Sequence, residues 1–224
     1  MSFWESPRVA YVRVDTRTKM NNRILILTAQ VVSLIFSPFY TPVVAFVALF
    51  MFSYLNQFPL RYKLVILLMV YFFTVLLPTL SIYIYRRLNG WSRHHLSRRV
   101  NRYIPYFLSI TCYVGLLYLM MVLHMPHFTL AIIVGALTLQ IICAVLNNWI
   151  KVSTHAAAAG GVVGALCAYS LWFNFNPLSW LCLCILLCGL VGTARLILRQ
   201  HKLIDIGLGT LLGILCGFFC VLLV

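Results

Sequence analysis

From residue 64 onward the chain is a succession of apolar runs, each about as long as a bilayer's hydrocarbon core is thick, separated by short polar turns. The runs fall at about 64–86, 106–123, 128–148, 154–173, 178–198 and 206–224. A helix needs about 20 apolar residues to cross ~30 Å of hydrocarbon, where the backbone must satisfy its own hydrogen bonds, so each run predicts a transmembrane helix. Residues 24–56 are also apolar, but Pro38 and Pro42 interrupt them. They read as an interfacial or broken helix at about 24–37 and a span at about 41–57, with a hairpin dipping into the membrane as the alternative. Pro78, inside the run at 64–86, predicts a kink. The expectation is an all-α fold, a polytopic transmembrane bundle of six to seven helices. It forms one domain over residues 24–224, preceded by a polar, basic tail over residues 1–23 that lacks the pattern of a cleavable signal peptide.

Charge narrows the function. The chain is 63% hydrophobic and only 9% charged, which excludes an ordinary soluble domain. Yet it carries 17 Lys and Arg against three acidic residues. Glu5 and Asp15 lie in the N-terminal tail, so Asp205 is the lone carboxylate of the membrane body. A basic excess of this kind suits nucleic acid, anionic headgroups or an anionic substrate, and a chain mostly buried in lipid is a poor fit for nucleic acid. All eight cysteines stand within apolar runs, without the spacing of a disulfide staple or a zinc site. They read as small packing residues.

Parity brings the polar segments together. Residues 86–105, 147–155 and 195–205 are separated by two spans each time, and a helix pair returns the chain to the face it left. One membrane face therefore holds Arg86, Arg87, Arg93, Arg98, Arg99, Arg102, Lys151, Arg195, Arg199 and Lys202, together with His94, His95, His155, His201 and Asp205. The turns at 124–127 and 174–177 lie on the other face and carry no Lys or Arg. His124 and His127 stand there without Cys or acidic partners.

On a helix His201 and Asp205, four apart, share a face. A carboxylate accepting from one imidazole nitrogen fixes the tautomer and leaves the other nitrogen as a nucleophile or base. An interfacial ion pair between Asp205 and Lys202 or Arg199 is the plainer alternative. In the segment KVSTH, Lys151 supplies a point charge. Ser153, Thr154 and the N–H groups opening the next helix suit an oxyanion. His155 is placed to protonate a leaving oxygen. Ser or Thr before an Ala-rich helix also reads as an ordinary N-cap, and the basic loop at 86–105 also suits anionic headgroups. Together the three segments supply what phosphoryl transfer needs: cations for the phosphoryl oxygens, a nucleophile, a carboxylate to orient it and a proton donor. Di-metal phosphatases gather several carboxylates. A single carboxylate points instead to a metal-free, histidine-nucleophile mechanism with no cofactor.

These residues resemble the motifs of the type 2 phosphatidic acid phosphatase superfamily. Its third motif, S-R-x5-H-x3-D, is matched in spacing by Ala194, Arg195, His201 and Asp205, with Ala in place of Ser. Its second motif, P-S-G-H, corresponds to Val152-Ser153-Thr154-His155, where Ser and His hold and Pro and Gly do not. The first motif, K-x6-R-P, is loosely present in SRRVNRYIP through Arg98, Arg99, Arg102 and Pro105. The resemblance spans roughly residues 64–224. It implies His201 as the nucleophile forming a phosphohistidine, Asp205 as its orienting carboxylate and His155 as general acid. It further implies phosphate binding by Arg195, Ser153 and one or two of Arg98, Arg99 and Arg102; Thr154 and Lys151 join them by position.

The expected function is therefore an integral membrane phosphatase acting on a lipid phosphate or pyrophosphate of the phosphatidate, phosphatidylglycerophosphate, polyprenyl pyrophosphate or lipid A type. Transfer of the phosphoryl group to another lipid, and non-catalytic binding or transport of anionic lipid, are the alternatives. The resemblance implies a bacterial inner membrane with the site towards the periplasm, whereas the positive-inside rule puts the basic face in the cytoplasm. Gly209, Gly213 and Gly217 form small-x-x-x-small steps that predict close helix packing beside the site.

Overall fold

The computed structural model describes residues 23–52, 54–88 and 103–223, which form helices and turns and no strand. A helix α1 at Arg23–Ile35 is followed by α2 (Thr41–Phe52) and a 3-10 turn at Tyr54–Gln57. A long rod follows, made of α3 (Leu60–Tyr71), a π-helical segment (Phe72–Leu76) and α4 (Leu77–Leu88). The remaining helices are α5 (Tyr103–Val122), α6 (His127–Leu146), α7 (Thr154–Phe173), α8 (Leu178–Ile197) and α9 (Leu203–Leu223). Six stretches are long and apolar enough to cross a membrane: Leu60–Tyr85, Ile104–Val122, His127–Leu146, Thr154–Phe173, Leu178–Ile197 and Leu203–Leu223. This is the all-α polytopic bundle expected, and the protein is an integral membrane protein.

The two faces are identified by contacts between turns. On one, the Ser153 N–H donates to the Asp205 carbonyl at 3.2 Å, and Arg195 Nη1 donates to Ser33 Oγ at 3.0 Å. Towards the other, Tyr62 Oη donates to Met125 Sδ at 3.3 Å, and Tyr169 donates to the Phe128 carbonyl beside the stacked Tyr169–Phe173 rings. Ser33 therefore belongs to the first face. Leu55 packs into the core cluster of Met120, Met125 and Phe128 at the second. Residues between them connect the faces. The 12 residues of α2 rise only about 18 Å, and the 3-10 turn adds roughly 8 Å. The segment expected to span at 41–57 thus crosses as a short helix with a tightened end. Its predecessor α1 reaches the first face at Ser33.

Pro78, where a kink was expected, stands just after a π-helical turn. A proline has no N–H to donate and its ring crowds the carbonyl four residues back. Here the preceding turn widens into the π segment Phe72–Leu76, which takes up the mismatch. Thr74, fully buried, turns its hydroxyl back to the Val70 carbonyl at 2.9 Å.

The tightest contact in the bundle is between α7 and α9, and it is made by backbone. A Cβ built on Gly213 would lie 2.0 Å from the Ala157 carbonyl oxygen, and one on Gly217 2.2 Å from that of Gly161. In the reverse sense, one on Gly160 would meet Thr210 O at 2.3 Å and one on Gly164 would meet Ile214 O at 2.0 Å. The glycine steps foreseen on α9 thus have reciprocal partners on α7. In lipid, where apolar side chains gain nothing by leaving their surroundings, such close approach lets dispersion and Cα–H···O contacts hold helices together.

Candidate active site

The α7–α9 seam ends at the polar face, and there it sets the site. Gly209 is the last small step: a Cβ on it would stand 2.7 Å from the Ser153 carbonyl oxygen. The turn before α7 is therefore pressed against the first turn of α9, and the Ser153–Asp205 backbone bond locks the two. Ser153, fully buried, is the N-cap of α7, its Oγ accepting from the Ala156 N–H at 3.4 Å. The N-cap contact foreseen as the plainer reading of that serine is present. Ser153→Ala should cost about 1 kcal/mol, read as a fall of a few degrees in the thermal midpoint.

Helix α8 stops in a Schellman motif: Arg199 N–H bonds Leu196 O at 2.9 Å and Gln200 N–H bonds Arg195 O at 3.3 Å. Arg199 takes the left-handed position, φ 50°, usually given to glycine. This sharp stop carries His201 back over the bundle. Its Nδ1 stands 3.6 Å from Asp205 Oδ2, with side-chain exposures of 3% and 13%. That is ion-pair distance, longer than a hydrogen bond. Asp205 lies in the first turn of α9, and its Oδ2 accepts the Lys202 N–H at 3.0 Å. This is the backward half of a capping box. The same carboxylate ends the helix and faces the imidazole.

His155 lies in the first turn of α7. Arg195 and His201 are its charged neighbours, and its ring has a backbone hydrogen bond with Ser33. His155 Nδ1 is buried without a hydrogen-bond partner among the described residues. Arg195, in the last turn of α8, reaches Ser33 as well. Thus α1 touches both a histidine and the arginine of the site. The apolar sequence of 24–37 offered only a faint signal of this, since Ser33 is one of two serines in its second half.

A single cavity of about 670 Å³ receives Thr154, His155, Arg195 and His201 at this end. Lys151, Ser153 and Asp205 do not line it: Ser153 and Asp205 stand behind the lining residues, and Lys151 is half-buried at the turn. Arg98, Arg99 and Arg102 lie outside the described residues. Beyond the polar end the cavity follows α7 through Ala158, Val162, Ala165, Tyr169 and Phe173, roughly 27 Å of helix axis. That is close to the thickness of the hydrocarbon core. The α1–α2 connection, through Ser37, Pro38 and Phe39, and α2, through Ala45 and Leu49, form another wall.

The family model for the PAP2 superfamily matches residues 146–224. Over that stretch the chain is similar to the PAP2 superfamily. The match begins at the turn before α7 and runs through α8 and α9, so it covers the elements that carry Ser153, His155, Arg195, His201 and Asp205. No curated protein and no solved structure matches the chain. That similarity and the six long apolar helices together support a membrane phosphatase-type protein.

Proposed function

We propose that this protein hydrolyses a lipid phosphate or pyrophosphate at the membrane face through a phosphohistidine on His201, without a metal ion. The observation that carries the reading is the shared cavity: His155, Arg195 and His201 converge at one end of a void whose remainder is almost wholly apolar. A phosphate fits the first part and a lipid tail the second.

His201 turns Nδ1 towards Asp205, which leaves Nε2 to attack phosphorus. The N–P bond forms as the bond to the lipid oxygen breaks, and His155 supplies the proton that this oxygen takes up. Water then attacks phosphorus, giving a proton back to His155 as the N–P bond breaks. Arg195 and the α7 N-terminus at Thr154 neutralise the phosphoryl oxygens, with Lys151 and one or two of Arg98, Arg99 and Arg102 as further cations. Ser153 serves by holding the α7 turn in place.

Purified protein in detergent, offered a panel of lipid phosphates and pyrophosphates, should release inorganic phosphate at rates unchanged by strong chelator. An acid-labile phosphoenzyme should be trapped on rapid quenching. Release that collapses with chelator, or turnover with no phosphoenzyme, would overturn the mechanism; phosphate appearing on a second lipid would make the protein a phosphotransferase. Asp205→Asn separates the carboxylate's two roles. An amide oxygen can still accept the Lys202 N–H, so the thermal midpoint should hold. The charge that supports an imidazolium is lost, so kcat should fall about a hundredfold or more.

A further inference from the structure

Away from the catalytic end, the cavity wall turns polar again at one level. Tyr113 of α5 and Gln140 of α6 line it there, with Ser109 one helical turn from Tyr113. Tyr113 is fully buried, yet its hydroxyl has no hydrogen-bond partner among the described residues, and neither does Gln140 Oε1. The Gln140 amide bears on the Tyr113 hydroxyl, but not within hydrogen-bond geometry, and Gln140 Oε1 faces no donor among the described residues. Buried polar atoms are nearly always paired, and an orphan in hydrocarbon is costlier still. Phenylalanine and leucine would fill these positions without that cost.

Their depth is informative. Helix α6 ends at the site face with Leu146, so Gln140 lies about 9 Å along the axis from that end. Tyr113 starts deeper, about 15 Å from the beginning of α5, but long helical side chains lean towards the helix N-terminus, which for α5 is the site face. The two polar groups therefore meet one to two helical turns beneath His155.

We propose that Tyr113 and Gln140 form a second binding subsite that takes an acyl carbonyl of the lipid. The Tyr113 hydroxyl donates to the carbonyl oxygen, and the Gln140 amide, which has donors and an acceptor, completes the pairing. In a diacyl glycerolipid phosphate the ester carbonyls stand a few bonds from phosphorus, within this depth. A polyprenyl chain has no oxygen beyond its phosphate groups and would leave both side chains unpaired. A site built to hydrogen-bond a ligand group discriminates strongly against an analogue that lacks it. The subsite therefore selects acyl lipids over isoprenoid ones. This inference rests on the lipid-phosphate reading of the cavity.

The test compares two non-hydrolysable phosphonates, a diacyl phosphatidate analogue and its dialkyl ether counterpart, which differ in the carbonyls. Their dissociation constants are measured on the unaltered protein, on Tyr113→Phe and on Gln140→Leu, with phosphate release from diacyl and polyprenyl phosphates followed in parallel. The unaltered protein should bind the diacyl ligand about tenfold more tightly than the ether. Tyr113→Phe should bring the two together by weakening the diacyl ligand alone, and Gln140→Leu should do so in part. Equal affinity in the unaltered protein, equal weakening of both ligands by Tyr113→Phe, or polyprenyl phosphate turned over as well as the diacyl substrate would each overturn the subsite. The outcomes separate from those of the proposed function. Carbonyl discrimination without phosphate release supports the subsite and removes the phosphatase reading, while phosphate release without discrimination does the reverse.

Discussion

His201→Ala is expected to reduce phosphate release from lipid phosphates to about one ten-thousandth of the unaltered rate, or less, and to abolish the trapped phosphoenzyme. Losing a nucleophile removes the covalent path itself, and side chains that act as a unit lose nearly everything together. The fold should tolerate the change. The imidazole stands 3.6 Å from Asp205, beyond hydrogen-bond distance of that carboxylate, which keeps its bond to the Lys202 N–H when the imidazole is removed. The thermal midpoint should therefore move by only a few degrees. His155→Ala should cost less, about 10²–10³ in kcat, because water can replace a proton donor more readily than a nucleophile. His127→Ala, at the start of α6 on the opposite face, should leave turnover unchanged. Equal phosphate release by His201→Ala and the unaltered protein would remove His201 from the mechanism.

The second large effect comes from a position that touches no substrate. Gly213→Val places a branched side chain where even a Cβ would lie 2.0 Å from the Ala157 oxygen and 2.8 Å from the Gly161 nitrogen. Both obstacles are backbone, so no rotamer relieves them. Carbon and oxygen approach no closer than about 3.3 Å in Cα–H···O contacts, so α7 and α9 must separate by more than 1 Å. Overpacking of this kind costs about 3 kcal/mol or more. The chemistry suffers too, because α7 carries His155 and α9 carries Asp205 in its first turn. A displacement near 1 Å is enough to lose about a hundredfold in rate. Gly213→Val should therefore lower the thermal midpoint sharply, and whatever folds should be nearly inactive. Gly189→Ala, on α8 with nothing within 4 Å of its added Cβ, is the matched control. It should be neutral or stabilising by up to about 1 kcal/mol. Similar behaviour of the two variants would mean that the α7–α9 seam does not hold the bundle.

The sequence made the site legible and left the cavity hidden, and the reason is the solvent. Run length and span parity work in any bilayer, so the helices from 64 onward, the common face of residues 147–155 and 195–205, and the glycine steps on α9 all follow from the chain alone. The spacing of Arg195, His201 and Asp205 survives because a helix stop and a helix start must sit between them. What could not be read is which side of each helix points inward. In water an inward face is marked by being apolar. In lipid the outward face is apolar as well, so Tyr113 and Gln140 showed no periodic signal, and Ser33 was only one of two hydroxyls in a greasy helix. Ser153 illustrates a different limit. Cap and phosphate ligand call for the same side chain in the same place, so the residue type alone does not distinguish them.

The glycine seam also bears on how a lipid reaches the site. Two helices joined backbone to backbone have no side chains that can swing aside, so parting them would break contacts along four successive turns at once. That wall cannot serve as a doorway. Across the cavity stand α1, whose Ser33 meets both Arg195 and His155, and the short α2, which packs Phe46, Leu49 and Phe50 into the core. On the proposed lipid-phosphate reading, a substrate therefore reaches the phosphate end by some path other than between α7 and α9, which stand as a fixed wall.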